Sequence, residues 1–282
     1  MHAGHCPEPA TRIRVAQLNT AHGALMSLHS ATVTSAPRRA VSLSTELHYW
    51  KSSPAAIRTA QRFRYTIFGQ EMGARLHSPI SGLDHDRFDE FCAHLLVRDL
   101  QTGNVVGYTR ILDRAAAARA GSFYSETEFE IDRILALPGD IAEIGRTCIH
   151  PAYRNGSTIS VLWSGLAEFI TQHRSKYLIG CASLPLPQAF GYAAIHHTAQ
   201  NLLDRFGAAS ELRVNPLLPL PEASLPVDMP KVSLPPLLKA YLRVGAKICG
   251  PPCLDADFQV ADFFIMVDTK GLDRRYARHF LS

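Results

Sequence analysis

From Leu47 onward the chain shows two hydrophobic periods, one near 3.6 residues and one of two, and the elements follow from which period holds. Leu47 to Trp50 reads as a short strand. Pro54 then stands where a helix favours a first-turn proline, and Ala56, Ala60, Phe63 and Ile67 share one helical face in a segment that ends before Gly73. Phe91 to Val97 and Val105 to Leu112 are strand-like runs around a polar turn containing Gly103, the pattern of an antiparallel hairpin. Ile141 to Ile149 reads as the next strand. Ser157 opens a helix with an apolar stripe of Ile159, Leu162, Trp163, Leu166 and Ile170. Tyr177 to Ser183 reads as a buried strand, followed by a helix from Pro187 to Phe206 and a proline-rich loop from Pro216 to Pro236. A helix over Leu237 to Val244 and a strand over Phe258 to Val267 close the pattern, before a basic end with Arg274, Arg275 and Arg278. An early helix, a hairpin, then strand, helix, strand, helix and strand imply a mixed α/β domain of the α+β type, with one central sheet flanked by helices.

The first 42 residues interrupt this pattern. They mix Ala, Ser, Thr and His with Pro7, Pro9 and Pro37 and hold no period, so residues 1–42 read as a flexible tail and 43–282 as one domain. Arg38 and Arg39 follow the weakly apolar Ala24 to Met26, the wrong order for a secretory signal. Net charge adds little. The chain of 282 residues carries 29 Lys and Arg against 25 Asp and Glu, a balance of +4 that permits an acidic partner but is not the dense basic stripe of a nucleic-acid binder. No apolar run approaches the roughly 20 residues a bilayer-spanning helix needs, so any contact with the inner membrane would be peripheral. Six scattered cysteines in a chain of this size favour reduced thiols and a cytoplasmic setting. Cys249 and Cys253 have no second pair at a zinc-ligand distance, and His196 and His197, adjacent on a helix, cannot chelate one ion, so no metal is expected.

Four segments put charge where a sheet protein buries apolar residues. GLDHDRFDEF gathers Asp84, Asp86 and Asp89 beside Phe88 and Phe91. Three carboxylates this near one another call for a bound amine or arginine partners, unless the segment is a solvated turn. Arg110 interrupts the strand VVGYTRIL and needs a carboxylate if buried, which the aspartates can supply. In EIGRTCIHP, Glu143 and Arg146 would point to opposite faces of a regular strand, and a bulge near Gly145 would turn both toward one cleft; structural ion pairing is the plainer account. In PAYRNGSTIS the strand ends and a helix starts, and its free amides beside Arg154 offer a seat for a phosphate or a pantetheine arm, or simply a helix cap.

Together FRYTIFGQEMGA, GLDHDRFDEFCAHLLV, VVGYTRIL, FYSETEFEI, EIGRTCIHPAYRNGSTISVLWSGLAEF, YLIGCASLP and LPPLLKAYLRVGAKICG…FQVADFFIMVD resemble the ornithine N-acyltransferases that make lyso-ornithine lipid, over about residues 45 to 280. That family is similar to acyl-homoserine-lactone synthases and N-acyl amino acid synthases. The resemblance implies the GNAT acyltransferase fold with a mostly antiparallel sheet. It also implies a 3-hydroxy fatty acyl donor on the phosphopantetheine of acyl carrier protein, no resident cofactor, and the α-amine of L-ornithine as acceptor. Matched to the charged motif of the lactone synthases are Arg64, Phe68, Asp86, Asp89, Arg110, Phe123, Glu143 and Arg146. The loop Arg154-Asn155-Gly156-Ser157-Thr158 has one glycine where a typical GNAT pyrophosphate loop has two, which suits a carrier protein better than coenzyme A. Gly73-Ala74 stands where lactone synthases usually carry a tryptophan.

On this reading Glu143 is the general base and amides opening toward Cys148 polarise the thioester. Asp86 and Asp89 hold the distal ammonium, and Arg110 or Arg146 pairs with the amino acid's carboxylate. Phe123, Tyr124, Leu162, Trp163 and Phe169 would line an acyl tunnel. Lys239, Arg243 and Lys247, every four residues, would form a stripe on one helix for acyl carrier protein, or rest on anionic lipid. The alternatives are a covalent route through Cys148 beside His150, a different acceptor such as glycine, glutamine or lysine, and a non-catalytic, haemolysin-like membrane-active protein.

Overall fold

The computed structural model describes residues 41–187, 189, 191–224 and 232–271. The expected tail over residues 1–42, all but its last two, and the basic end with Arg274, Arg275 and Arg278 lie outside the described residues.

In chain order the elements are β1 (Leu43–Tyr49), α1 (Pro54–Arg64), β2 (Ala93–Asp99), β3 (Val105–Asp113), α2 (Arg114–Ala120), β4 (Ile141–Ile149) and α3 (Ser157–His173). There follow β5 (Tyr177–Pro185), α4 (Gly191–Phe206), α5 (Pro236–Arg243), β6 (Lys247–Ile248), β7 (Cys253–Asp255) and β8 (Val260–Asp268). These strands form the main sheet in the order β1-β2-β3-β4-β5-β8-β6, with β7 also against β8, and a separate two-residue ribbon pairs Phe129–Glu130 with Asn215–Pro216. Every pairing is antiparallel except that of β4 with β5. Those two run parallel because α3 carries the chain back over the sheet between them, the connection a parallel pair requires. The mixed α/β architecture is the one the hydrophobic pattern predicts, and its mostly antiparallel sheet is the one the family resemblance implies.

Side chains alternate across each strand, so the sheet builds a core on both faces. On one, Leu162, Leu166, Phe169 and Ile170 of α3 pack on Leu95, Val97, Val106 and Ile111. Another cluster joins Phe88, Phe123, Phe129 and Ile134 to Ile179, Phe264 and Met266. A third joins α4 and α5 to β5 and β8 through Leu184, Ile195, Leu238, Leu242 and Phe263. Phe263 and Phe264 have no exposed surface, and truncating either to Ala is expected to cost about 3–5 kcal/mol.

Several boundaries differ from the periodicity. β1 begins at Leu43, because the whole period-two set Leu43, Leu47 and Tyr49 packs beneath α3. α4 begins at Gly191, not Pro187. The first helix continues past Arg64 as a π-helix over Tyr65–Glu71. It stops where Gly73 takes φ +71, a left-handed backbone open to glycine at little cost. α5 ends at Arg243, so Lys247 lies on β6 and the expected single helical stripe is corrected to an exposed pair, Lys239 and Arg243, with an exposed lysine beyond it.

Candidate active site

The site starts from two irregularities in β4. Toward β3, Tyr108 faces Cys148 and Arg110 faces Gly145, so β4 has one residue more than its partner between those points. This is the bulge expected near Gly145, and the residue driven into left-handed backbone is Arg146 itself, at φ 51. Such a conformation costs a bulky residue about 1–3 kcal/mol. Its guanidinium sits 5.0 Å from the ring centres of both Tyr124 and Phe258. Toward β5, the ladder lasts only from Ile141↔Tyr177 to Glu143↔Ile179. Beyond it the strands part. Gly180 stands at the parting point against the carbonyl of Ile144, too close for any β-carbon.

The gap opens into a cavity of about 650 Å³, within the usual range for a small-molecule site. Its walls are β4 from Glu143 to Ile149 and β5 from Leu178 to Ser183. Ile159, Trp163 and Leu166 of α3 close one apolar side, and Leu238 and Tyr241 of α5 the other. Trp163 stacks on Tyr241 with ring centres 6.2 Å apart, which ties the two helices across the gap. At the opposite end the lining turns polar: Arg110, Arg146, Glu143, Glu128, Asp255 and Asp262.

Behind that end is a buried ion-pair network. Arg64, fully buried at the end of α1, donates to Asp84 from Nε at 2.8 Å and to Asp89 from both terminal nitrogens at 2.7 and 2.9 Å. It also donates to the Tyr108 hydroxyl at 3.1 Å. Gln61 donates to Asp89 at 2.9 Å. His94 must donate from Nε2 to the Asp89 carbonyl, so its Nδ1 accepts from Tyr108 at 2.7 Å. Burial lowers His94 to about 4, so it is neutral. Arg110 donates to Asp86 at 2.6 Å and Asp89 at 3.0 Å. Burial alone would raise the aspartates, but the arginines outweigh it, holding Asp86 at about 2 and Asp89 well below the carboxylate range.

These contacts correct several expectations. Asp86 and Asp89 are paired with arginines and do not line the cavity, so the cation that the acidic segment demanded is built in. Arg64 and Phe123 do not reach the cavity either: the first supports the network and the second is packed in the core. Leu162 and Phe169 are likewise core, whereas Tyr124, Trp163 and Phe68 line the cavity. Arg110 reaches it, already engaged with two aspartates. Arg146 is held loosely, with Asp84 and Asp86 oxygens 3.5 Å away and its buried Nε making no hydrogen bond among the described residues. It is the cation with capacity to spare.

Glu143 is buried where the strands part. Its Oε1 accepts from the N–H of Ser125 at 2.7 Å and from the Ser125 hydroxyl, and its Oε2 accepts from the N–H of Tyr124 at 2.7 Å. Burial raises its proton affinity against the pull of those donors.

The loop before α3 divides. Arg154 and Gly156 line the cavity, but Arg154 is clamped by Glu71 at 2.6 and 2.8 Å. Asn155 accepts from Ser157 N–H at 3.2 Å and hydroxyl at 2.7 Å, a local cap. Thr158 faces inward, fully buried against Gly107, and is corrected from a binding to a packing residue. Cys148 lines the cavity, but burial pushes its thiol far up. His150 caps the next turn by accepting from Ala152 N–H at 3.2 Å, so the pair has no activated thiolate.

Sequence reasoning missed Glu128, Asp255 and Asp262, whose oxygens lie within 4.8 Å of one another. Asp262 carried a readable signal: it breaks the apolar run VADFFIMV as Arg110 breaks VVGYTRIL.

A sheet that splits between two parallel strands, with a bulged strand and a cavity in the split, defines a GNAT-type N-acyltransferase, and residues 63–164 match the family model described as an acetyltransferase (GNAT) domain. A solved CoA-dependent acyl-homoserine lactone synthase, BjaI, with SAM and isopentyl-CoA, is 15% identical over 84% of this chain and 90% of its own, with TM-score 0.52; it shares the fold. The L-ornithine N(alpha)-acyltransferase of Brucella abortus (strain 2308) is 33% identical over 242 residues, 81% of this chain and 86% of that protein. That of Rhizobium meliloti (strain 1021) is 33% identical over 245 residues, 81% of each. The chain belongs to the L-ornithine N(alpha)-acyltransferase family.

Proposed function

We propose that the protein transfers a 3-hydroxy fatty acyl group from the phosphopantetheine of acyl carrier protein to the α-amine of L-ornithine, giving lyso-ornithine lipid. The observation that carries this reading is a single cavity with a long apolar part between α3 and α5 and a polar end lined by Arg146 and carboxylates. An amphiphilic product needs that combination. The family's curated relatives named above supply the choice of ornithine.

The acyl chain lies among Trp163, Leu166, Leu238 and Tyr241, and the thioester carbonyl meets β4 amides released from the ladder beyond Glu143. The amino acid's carboxylate pairs with Arg146. Its α-ammonium must lose a proton before it can attack. Glu143 takes that proton at Oε2, its affinity raised by burial and its position fixed by the Tyr124–Ser125 turn. The neutral amine attacks the carbonyl carbon, the C–S bond breaks, and the pantetheine sulfur leaves as a thiol that takes up the proton the acylated nitrogen gives up. Arg154 and Gly156 at the cavity's edge receive the phosphopantetheine arm, and the exposed Lys239 and Arg243 meet the acidic carrier. None of the helices among the described residues is long and apolar enough to cross a membrane. A carrier-bound donor and an amphiphilic product suit an enzyme that works in the cytoplasm in peripheral contact with the inner membrane.

The test is mass spectrometry of products from the purified protein, 3-hydroxyacyl carrier protein and an equimolar amino-acid mixture. Nα-acylornithine is the expected product. A dominant acylglycine, acylglutamine or acyllysine would replace the acceptor, and turnover only with acyl-coenzyme A would replace the donor. No acylated product from either donor would leave a non-catalytic role.

A further inference from the structure

Three carboxylates at the cavity's polar end take no part in the arginine network. Glu128 follows the turn that caps Glu143, Asp255 ends β7 and Asp262 lies on β8; all three line the cavity with their oxygens within 4.8 Å. Two are partly satisfied. Oδ1 of Asp262 accepts from the Ser183 hydroxyl at 2.6 Å, and Oδ1 of Asp255 accepts from the N–H groups of Asp257 and Phe258, each at 3.0 Å. Glu128 is different: it is 8% exposed and its Oε2 has no hydrogen-bond partner among the described residues. A buried acceptor left without a donor costs about 1–3 kcal/mol, and three like charges this close repel one another. Burial raises both Glu128 and Asp262, and neighbouring carboxylates add to it against the opposing pull of Arg146. Asp84, Asp86 and Asp89 face the same problem and solve it with arginines; among the described residues this cluster makes no ion pair, and it opens onto the cavity.

We propose that Glu128, Asp255 and Asp262 bind the side-chain ammonium of a diamino acid acceptor, and so select ornithine-like substrates over neutral amino acids. This rests on the acyltransfer reading above and deepens it. A primary ammonium presents three N–H donors and one positive charge, which matches three convergent carboxylates, one of them with a buried oxygen that no donor reaches among the described residues. Tyr124, Cys181 and Phe258 line the same end and suit an alkyl stem better than a hydration shell. A hard divalent cation would want six or more oxygen ligands, and the metal alone is therefore included as a competitor in the experiment. A neutral isostere would bury the carboxylates and leave them unpaired, which is the arrangement that discriminates strongly.

The experiment compares L-ornithine with L-norvaline, which has the same carbon chain without the ammonium, by calorimetry on the full chain and by kcat/KM with carrier-bound donor. Wild type is expected to favour ornithine on the order of 100-fold. Glu128→Gln and Asp255→Asn are each expected to bring that ratio below about tenfold. Asp262→Asn also disturbs Ser183 and is read only alongside a melting curve. Equal handling of the two amino acids by wild type would overturn the proposal, as would an unchanged ratio in both soluble variants. Tight binding of Mg²⁺ or Ca²⁺ alone, lost in the variants, would make this a metal site and overturn it too. If ornithine binds with the expected preference but no donor acylates it, the acyltransfer reading fails while this site stands.

Discussion

Replacing Arg64 by Met tests whether the ion-pair network is a support and not a substrate contact. The side chain has no exposed surface, and its guanidinium makes short bonds to Asp84, Asp89 and Tyr108. Methionine fills much of the volume but leaves Asp89, itself fully buried, with Arg110 and Gln61 as remaining donors. Removing one partner of a buried pair costs about 3–5 kcal/mol, and at roughly 2–4 °C per kcal/mol for a chain of this size the melting temperature should fall by about 6–20 °C. The pH dependence adds a second check. Asp89 is held well below the carboxylate range, and Asp86 at about 2. Their lowered folded values contribute stability above the unfolded value near 3.9, and it is lost as pH falls through the folded values. In the variant Asp89 takes up a proton more readily, so the gap to wild type should be widest near neutrality and narrow below about pH 4. Urea unfolding at pH 7 and pH 3, followed by tryptophan fluorescence, measures both. A loss under about 1 kcal/mol at pH 7, the worth of an exposed pair, or a gap independent of pH would refute the reasoning.

Four further outcomes follow from the site. Glu143→Gln should lower kcat by roughly 10²- to 10⁴-fold and abolish the acidic limb of the wild-type rate profile, which should lie above the ordinary carboxylate range because protonation of Glu143 silences the base. Near-full activity would reassign the base. Arg146→Ala should raise KM for the amino acid at least about tenfold with little effect on KM for the acyl donor, measured by steady-state kinetics. Cys148→Ala should retain turnover within about threefold, since a thiol pushed up by burial offers no thiolate at neutral pH; a loss of several orders of magnitude would restore the acyl-cysteine route. Glu at both Lys239 and Arg243 should raise KM for acyl carrier protein, more at low salt than at high, because both charges are exposed; a salt-independent, unchanged KM would remove this docking surface.

Much of this molecule is legible along the chain, for physical reasons that differ by element. The β2–β3 hairpin and α3 follow from periods of two and 3.6, because each buries one face. The bulge was legible as a contradiction: Glu143 and Arg146 cannot serve one cleft from a regular strand. Its position was legible, but the residue that would carry the left-handed backbone was not, since glycine is the ordinary candidate and Arg146 takes it. Arginine partners for Asp84, Asp86 and Asp89 were legible as a need for a cation. That the cation is covalently part of the chain, and not a ligand, depends on α1 delivering Arg64 across a loop, a tertiary fact. The π-helical turn left no mark in the periodicity. Glu128, Asp255 and Asp262 come from three separate segments, and only folding brings them within reach of one another.

The three-residue ladder between β4 and β5 has a mechanical meaning. It makes the sheet two plates sharing a short seam, with α3 as the strap between them. Plates joined this way flex about the seam more easily than within themselves, so a guest whose peptide-like arm spans the open edges would lengthen the seam and stiffen both halves at once. Slow hydrogen exchange would then spread to strands far from the guest itself.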